Sequence, residues 1–437
     1  MRYGGMTTAG LGAAAARIRR AAEGRVRTWW LLVPVSPVIT FLAVSRSWRA
    51  FAVVALAGLA VLAVCGPVAM LALIPLSLLG GILPAGTTIT LAAVAAVALV
   101  AGVQFVAGTR RPRLAHLWIA LFALVSVAAF VFPATGSVAE PDRLVDLFCL
   151  LAGLGLVAAV TGSPPPPGAV IRVTALAGGL AAAYVLLLGE RVGGRLQGLS
   201  LNPNYLGAFL ALPFVAAAGL AYRHRRPVWL LPAGACLAGM AATQSRGAFV
   251  AGVAGIAILV MQGRRIRIQA LIAIVTIVAG MVFPTAIGVV ERLAVGGREA
   301  AVLSHDTEVR ERVAGFAARV AAGHPLRGIG YGMFPSYADS RFGVRIATHN
   351  DYLRLAAEMG VLALAAFLVL LWLGHKGPAP GDLAVPRAVT GTYAVGLLFA
   401  NELTNLVVST PFWLALGCLL ASRNHISTAQ GVHHDRR

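Results

Sequence analysis

Three side chains of the 437-residue chain stand where a hydrophobic protein has little reason to keep them. Arg195 lies in Gly194-Arg195-Leu196-Gln197-Gly198, just ahead of Leu201-Asn202-Pro203-Asn204-Tyr205. Arg246 lies in Thr243-Gln244-Ser245-Arg246-Gly247-Ala248-Phe249. Glycine beside each lets a backbone or a ligand come close. A guanidinium presents a planar fork of donors that matches a phosphate bidentately. One such arginine at a membrane edge reads most simply as a snorkelling anchor. Two on one face, in polar Gly/Asn/Ser settings and with His349 nearby, point to a shared anion site. His349 lies in Ala347-Thr348-His349-Asn350-Asp351-Tyr352-Leu353, directly before an apolar helical run. A lone histidine is usually structural. This one adjoins a helix N-terminus, whose free N–H groups favour anions, and its ordinary pKa of about 6.5 suits proton transfer near neutral pH. His305 and His324 sit among loop-forming residues and are weaker candidates.

Two other patterns suggest chemistry and are given less weight. Glu140-Pro141-Asp142 places two acids as a divalent ion could use them, but a solvated loop explains the pair better; no metal or other cofactor is expected. Gly328-Ile329-Gly330-Tyr331-Gly332 follows no strand, so it reads as a turn rather than a nucleotide fingerprint.

The elements that must position these residues are membrane helices. Hydrophobic residues make up 59% of the chain and charged ones 12%, far from the balance of a soluble domain. A hydrocarbon core about 30 Å thick needs ~20 apolar residues per helix. Apolar runs fall at roughly 29–44, 50–64, 66–84, 87–107, 114–132, 144–161, 169–189, 204–222, 227–243, 246–262, 267–290, 351–373, 386–404 and 405–421. The first four are short or closely spaced. The expected fold is therefore all-α, a polytopic membrane protein of 12–14 transmembrane helices with one large outer loop. With the N-terminus inside, 21 basic residues fall in the tails and inner connections and seven at the short outer ones. Positive charge marks the cytoplasmic side, so in a cytoplasmic membrane both termini are expected on the cytoplasmic side and residues 291–350 outside. The net charge of +20 is then a topology signal, and nucleic acid is not an expected partner.

The polar excursion from Glu291 to Asn350 reads as a half-domain closing over a site at the membrane surface. Val309, Val313, Phe316 and Val320 form an apolar stripe at helical spacing, with Asp306-Thr307 as its N-cap and Gly323 and Pro325 as its end. Cys65, Cys149, Cys236 and Cys418 lie in apolar runs without paired spacing and are expected as buried thiols. Ser163-Pro164-Pro165-Pro166-Pro167 reads as a stiff inner linker. No removable signal peptide is read at the N-terminus. Mid-span charge is nearly absent, which counts against a transporter; Glu402 and Asn405 have no explanation in the sequence.

Arg195 with Asn202-Pro203-Asn204, then Ser245-Arg246-Gly247-Ala248, then His324-Pro325-Leu326-Arg327-Gly328-Ile329-Gly330-Tyr331-Gly332, then His349-Asn350-Asp351-Tyr352-Leu353 and Glu358-Met359-Gly360 follow in one order. In that order the chain resembles the O-antigen ligase superfamily, over roughly residues 190–365. The resemblance implies a GT-C-like glycosyltransferase that takes a glycan from an undecaprenyl-pyrophosphate-linked donor and passes it to a glycan, lipid or protein acceptor. It implies that Arg195 and Arg246 hold the pyrophosphate and that His349 acts on the acceptor. Asn202, Asn204 and Asn350 match as supporting residues, without an assigned step. Around this region the chain divides into a basic tail (1–28), an N-terminal bundle (29–189), C-terminal helices (366–421) and a second tail (422–437). A repeat-unit polymerase of the same superfamily is an alternative. A transporter or a non-catalytic lipid-glycan binding protein is another, of a different class.

Overall fold

The computed structural model describes residues 66–82, 114–135, 142–262, 300–343, 345–376 and 381–434, with Thr90, Ala93, Val94 and Val97. The runs at 29–44, 50–64 and 267–290, most of 87–107, Cys65 and Glu140 lie outside these residues.

The apolar runs fold as helices. After a 3-10 turn at Gly66–Ala72 come α1 (Leu73–Ile82), α2 (Leu114–Val131), α3 (Arg143–Gly162) and α4 (Pro167–Leu188). A hairpin of β1 (Glu190–Val192) and β2 (Arg195–Gln197) leads to α5 (Pro203–His224), α6 (Leu230–Thr243) and α7 (Arg246–Met261). Then come α8 (Ala300–Gly323), α9 (Phe334–Phe342), α10 (Asp351–His375), α11 (Ala384–Gly396) and α12 (Leu406–His434). Five of these, α2, α3, α4, α5 and α10, are long and apolar enough to cross a membrane, and shorter apolar helices stand among them. The protein is an all-α polytopic membrane protein. Leu117, Leu124, Leu180, Leu187 and Leu231 remain exposed on its outside, as a lipid-facing belt requires.

Helices approach closely where one of them has no side chain. A Cβ on Gly178 of α4 would stand 2.1 Å from Pro213 of α5, and one on Gly153 of α3 would stand 2.4 Å from the Trp413 indole of α12. Without a hydrophobic drive between helices in lipid, this close packing supplies much of the association. Proline sets two helix starts: Pro167, the last of the proline run, begins α4, and Pro203 begins α5, positions where the missing N–H costs nothing. Cys149, Cys236 and Cys418 are buried free thiols, as expected.

Connections gather at two ends. At one, Gln262 donates to the Ala384 carbonyl (3.4 Å) and the Cys418 thiol to that of Pro165 (3.8 Å). At the other lie the hairpin, the 243–246 turn, residues 300–350 and the 397–405 connection. Here α8 and α9 build a second core, in which Val313, Ala317 and Val320 pack on Ile329, Phe334 and Ala338. The apolar stripe therefore packs as its spacing predicts. Its helix starts earlier than expected, at Ala300, so Asp306 and Thr307 lie inside α8 rather than capping it. The apolar run at 386–404 is also shorter as a helix: α11 stops at Gly396, and a helix-free connection follows.

α10 is broken at Gly360 (φ 81°, ψ 177°). The break frees backbone groups that must find partners, because buried orphans are costly. The glycine-rich turn supplies them. Ile329 N–H donates to the Ala357 carbonyl (2.9 Å), Gly330 N–H to that of Glu358 (3.0 Å), and Val361 N–H to that of Pro325 (2.7 Å). Gly328, Gly330 and Gly332 all have positive φ, so the turn folds the 300–350 region back onto the bundle, as its composition suggests.

Candidate functional site

Arg195 is aimed by a two-residue hairpin. Val192 pairs with Arg195 across Gly193 and Gly194, whose φ values are +57° and +76°. Positive φ at both central positions is the type I′ geometry that glycine favours. The glycines thus shape the turn rather than clear room for a ligand. Arg195 Nε donates to the Thr243 carbonyl at the end of α6 (2.9 Å), and its Nη2 donates to Asn204 Oδ1 in the first turn of α5 (2.6 Å). Arg246 opens α7 after Gln244, which has φ 53°. A Cβ on Gly207 of α5 would strike Ser245 at 2.7 Å, and one on Gly247 would strike Phe399 at 2.6 Å. These two glycines let α5 and the 397–405 connection close on the 243–246 turn.

The result is a cavity of about 140 Å³ walled by Arg195, Asn204, Gln244, Arg246, Arg310 and Glu402, among others. Arg310 comes from α8 and Glu402 from the 397–405 connection. The first turn of α7 opens here, and Ser245 makes no side-chain cap bond to it. A helix start with cations beside it favours an anion.

His349 is not among the residues walling this cavity. It lies half-buried with φ 51°, next to Thr348. Thr348 donates to Asn401 Oδ1 (3.0 Å), and Asp351 Oδ2 accepts from the N–H groups of Glu402 and Leu403. Thr348 and Asn401 of these joined loops also wall a second cavity of about 460 Å³, with Asp142, Asp146, Arg354 and Glu358 among others. The structure thus brings Arg195 and Arg246 together on one cavity and leaves His349 off it, beside Thr348 of the second cavity's wall. Of the five non-glycine residues with positive φ among the described residues, Leu199, Ser200, Gln244 and His349 are at this end. Such backbone costs of order 1–3 kcal/mol per residue, and it clusters at functional sites.

The supporting asparagines divide. Asn202 Oδ1 accepts from the N–H groups of Asn204 and Tyr205, and Asn350 Oδ1 from that of Leu353, so both cap helices. Asn204 alone reaches a site arginine. Asn405, without an explanation in the sequence, caps α12 through Val407 N–H (3.1 Å).

Within α10, Arg354 pairs with Asp351 at 2.8 Å, too obliquely for a hydrogen bond. Glu358 accepts from Gly332 and Phe334 N–H (3.0 and 3.1 Å). Arg143 lies over the Phe130 ring and donates to the Phe130 carbonyl. In the sequence Glu358 stands out only as part of a motif, and nothing there singles out Arg143 or Arg354.

Residues 231–368 match the family model for O-antigen ligase. Over this stretch the chain is similar to O-antigen ligases. Arg246, Arg310, His349 and Asn350 lie inside the matched stretch, which runs from α6 into the second half of α10. Arg195, Asn202 and Asn204 precede it, and Glu402 follows it. No curated protein matches the chain.

Proposed function

We propose that this O-antigen ligase-type membrane protein is a glycosyltransferase. It moves a glycan from undecaprenyl pyrophosphate to an acceptor hydroxyl at the outer face of the cytoplasmic membrane. The observation that carries this reading is the meeting of Arg195 and Arg246 on one cavity, since two cations so placed match a diphosphate. Arg310 adds a third guanidinium from α8. The bond from sugar C1 to the diphosphate oxygen breaks as the acceptor oxygen bonds to C1 from the opposite face, and C1 inverts. The leaving oxygen gains negative charge, which guanidiniums stabilise most in the transition state. The acceptor proton passes to His349, a step worth ~10²–10⁴-fold. In this reading no metal carries the leaving group, so chelator and Asp142→Asn leave transfer intact.

Donor binding and glycan transfer by detergent-purified variants of confirmed fold test the assignment. His349→Ala is expected to stop transfer while donor binding survives. Arg195→Ala and Arg246→Ala are expected to lose both. Full transfer by His349→Ala would remove the base, and donor binding indifferent to both arginines would remove the anion site. Sidedness has its own test. Asp339 is exposed on α9, whereas its neighbour Ala338 is buried. Asp339→Cys is expected to react with a membrane-impermeant thiol reagent in intact cells, and protection there would reverse the orientation.

A further inference from the structure

Glu402 is 1% exposed, and neither of its carboxyl oxygens has a hydrogen-bond partner. It is nevertheless part of the arginine cavity's wall. Its Oε2 stands behind Gly396, another wall residue, where a Cβ would be 3.8 Å away. Its own N–H is held by Asp351 Oδ2, which fixes its place relative to α10.

A carboxylate here is at odds with a diphosphate, because like charges in a dry site repel strongly. The cavity's cations do not resolve the conflict. Arg195 from the hairpin, Arg246 from α7 and Arg310 from α8 share the cavity, yet none donates a hydrogen bond to Glu402. Among the described residues, Asp351 of α10 acts on Glu402, and Glu402 in turn acts on Tyr205 of α5 and Tyr393 of α11. None of them supplies positive charge. Burial, with Asp351 behind it, pushes the Glu402 carboxyl well above the usual carboxylate range. A carboxylic acid kept neutral is a hydrogen-bond donor that an anion can use.

We propose that Glu402 serves the pyrophosphate site as a protonated acid, donating its O–H to a phosphate oxygen, so that donor binding is coupled to one proton on this residue. The inference rests on the pyrophosphate reading above and adds a binding group of a different kind to the arginines. No covalent bond changes. Below the pKa of Glu402 the proton is already in place and binding is unhindered. As pH rises through that pKa, the carboxylate forms, and binding must take up a proton or meet repulsion.

The test uses full-length detergent-purified protein and inorganic pyrophosphate, with affinity measured by calorimetry across the neutral and alkaline range. Glu402→Gln keeps the shape and the neutral donor. It is expected to match the wild type at the acid end. At the alkaline end the wild type is expected to fall behind it by up to about tenfold per pH unit. The ionisation of pyrophosphate itself is common to both proteins and cancels in the ratio. The wild type alone should show proton uptake at the alkaline end, as a binding heat that varies with the buffer. Glu402→Ala removes the donor and is expected to bind more weakly than Glu402→Gln at every pH. Parallel wild-type and Gln curves overturn the proposal while leaving the arginine site standing. No pyrophosphate binding by the wild type, or binding indifferent to Arg195→Ala and Arg246→Ala, removes the anion site itself and this inference with it.

Discussion

The two cavities both take residues from the 397–405 connection, but they hold their charges differently. In the larger one, Arg354 faces Asp351, Glu358 accepts two backbone N–H groups, and Arg143 lies on an aromatic ring and a carbonyl. In the smaller one, three arginines from three elements line one cavity with Glu402, to which none of them donates a hydrogen bond. Charge paired within one helix or held by its backbone keeps the chain in place. Cations gathered from separate elements make a cavity that suits a ligand of opposite sign. The larger cavity should therefore fail through the fold and the smaller through the chemistry.

The largest expected effect is on the fold. Arg354→Ala leaves Asp351 buried without its cation, and breaking such a pair costs about 3–5 kcal/mol. Thermal unfolding in detergent should show a large drop, while the fraction still folded binds pyrophosphate normally. Unchanged stability with lost binding would break the comparison. Arg195→Ala should do the reverse. By analogy with removal of an oxyanion donor, transfer falls about 10²–10³-fold. Stability should fall by only about 1–2 kcal/mol, since the lost bonds are those to Thr243 and Asn204. Lysine restores charge but not the fork, so it should rescue partly. Next comes the glycine-rich turn that packs against the break in α10. A Cβ on Gly328, at φ +63°, would stand 2.3 Å from the Glu358 carbonyl carbon. Gly328→Ala should cost about 1–3 kcal/mol from backbone strain alone, read by the same unfolding assay.

What the sequence revealed follows from what acts locally. The apolar runs are long, so helix positions from 114 to 262 are legible to within a few residues. Arg195 and Arg246 are legible because cations at short outer connections go against the positive-inside trend. The 397–405 connection was not, since its apolar residues extend the pattern of α11. What stops that helix is tertiary: Asp351 takes two of the connection's N–H groups, and the Leu397 carbonyl accepts from Asp351 N–H. Arg310 was hidden for a different reason. It stands in a polar helix among other charges, and only the packing of the stripe beneath it brings it to the cavity. The break at Gly360 likewise depends on a turn some 30 residues earlier.

The smallest effect is the sharpest test of where the site ends. Asn202 and Asn204 lie in one motif, yet the structure gives them different work: Asn202 caps α5, and Asn204 holds Arg195. Asn202→Ala removes an N-cap acceptor, which costs about 1 kcal/mol. Transfer should fall no more than the loss of folded protein explains, because Pro203 still sets the first turn. Asn202→Asp caps equally well and should restore stability and transfer together. Asn204→Ala leaves α5 capped but removes the 2.6 Å bond that orients the guanidinium, so its loss should appear in transfer and in pyrophosphate affinity. The two variants are compared by unfolding temperature and by transfer rate at equal folded protein. If Asn202→Ala reduced transfer about a hundredfold at unchanged stability and aspartate failed to rescue it, Asn202 would belong with the arginines. The boundary between scaffold and site would then lie one turn closer to the hairpin.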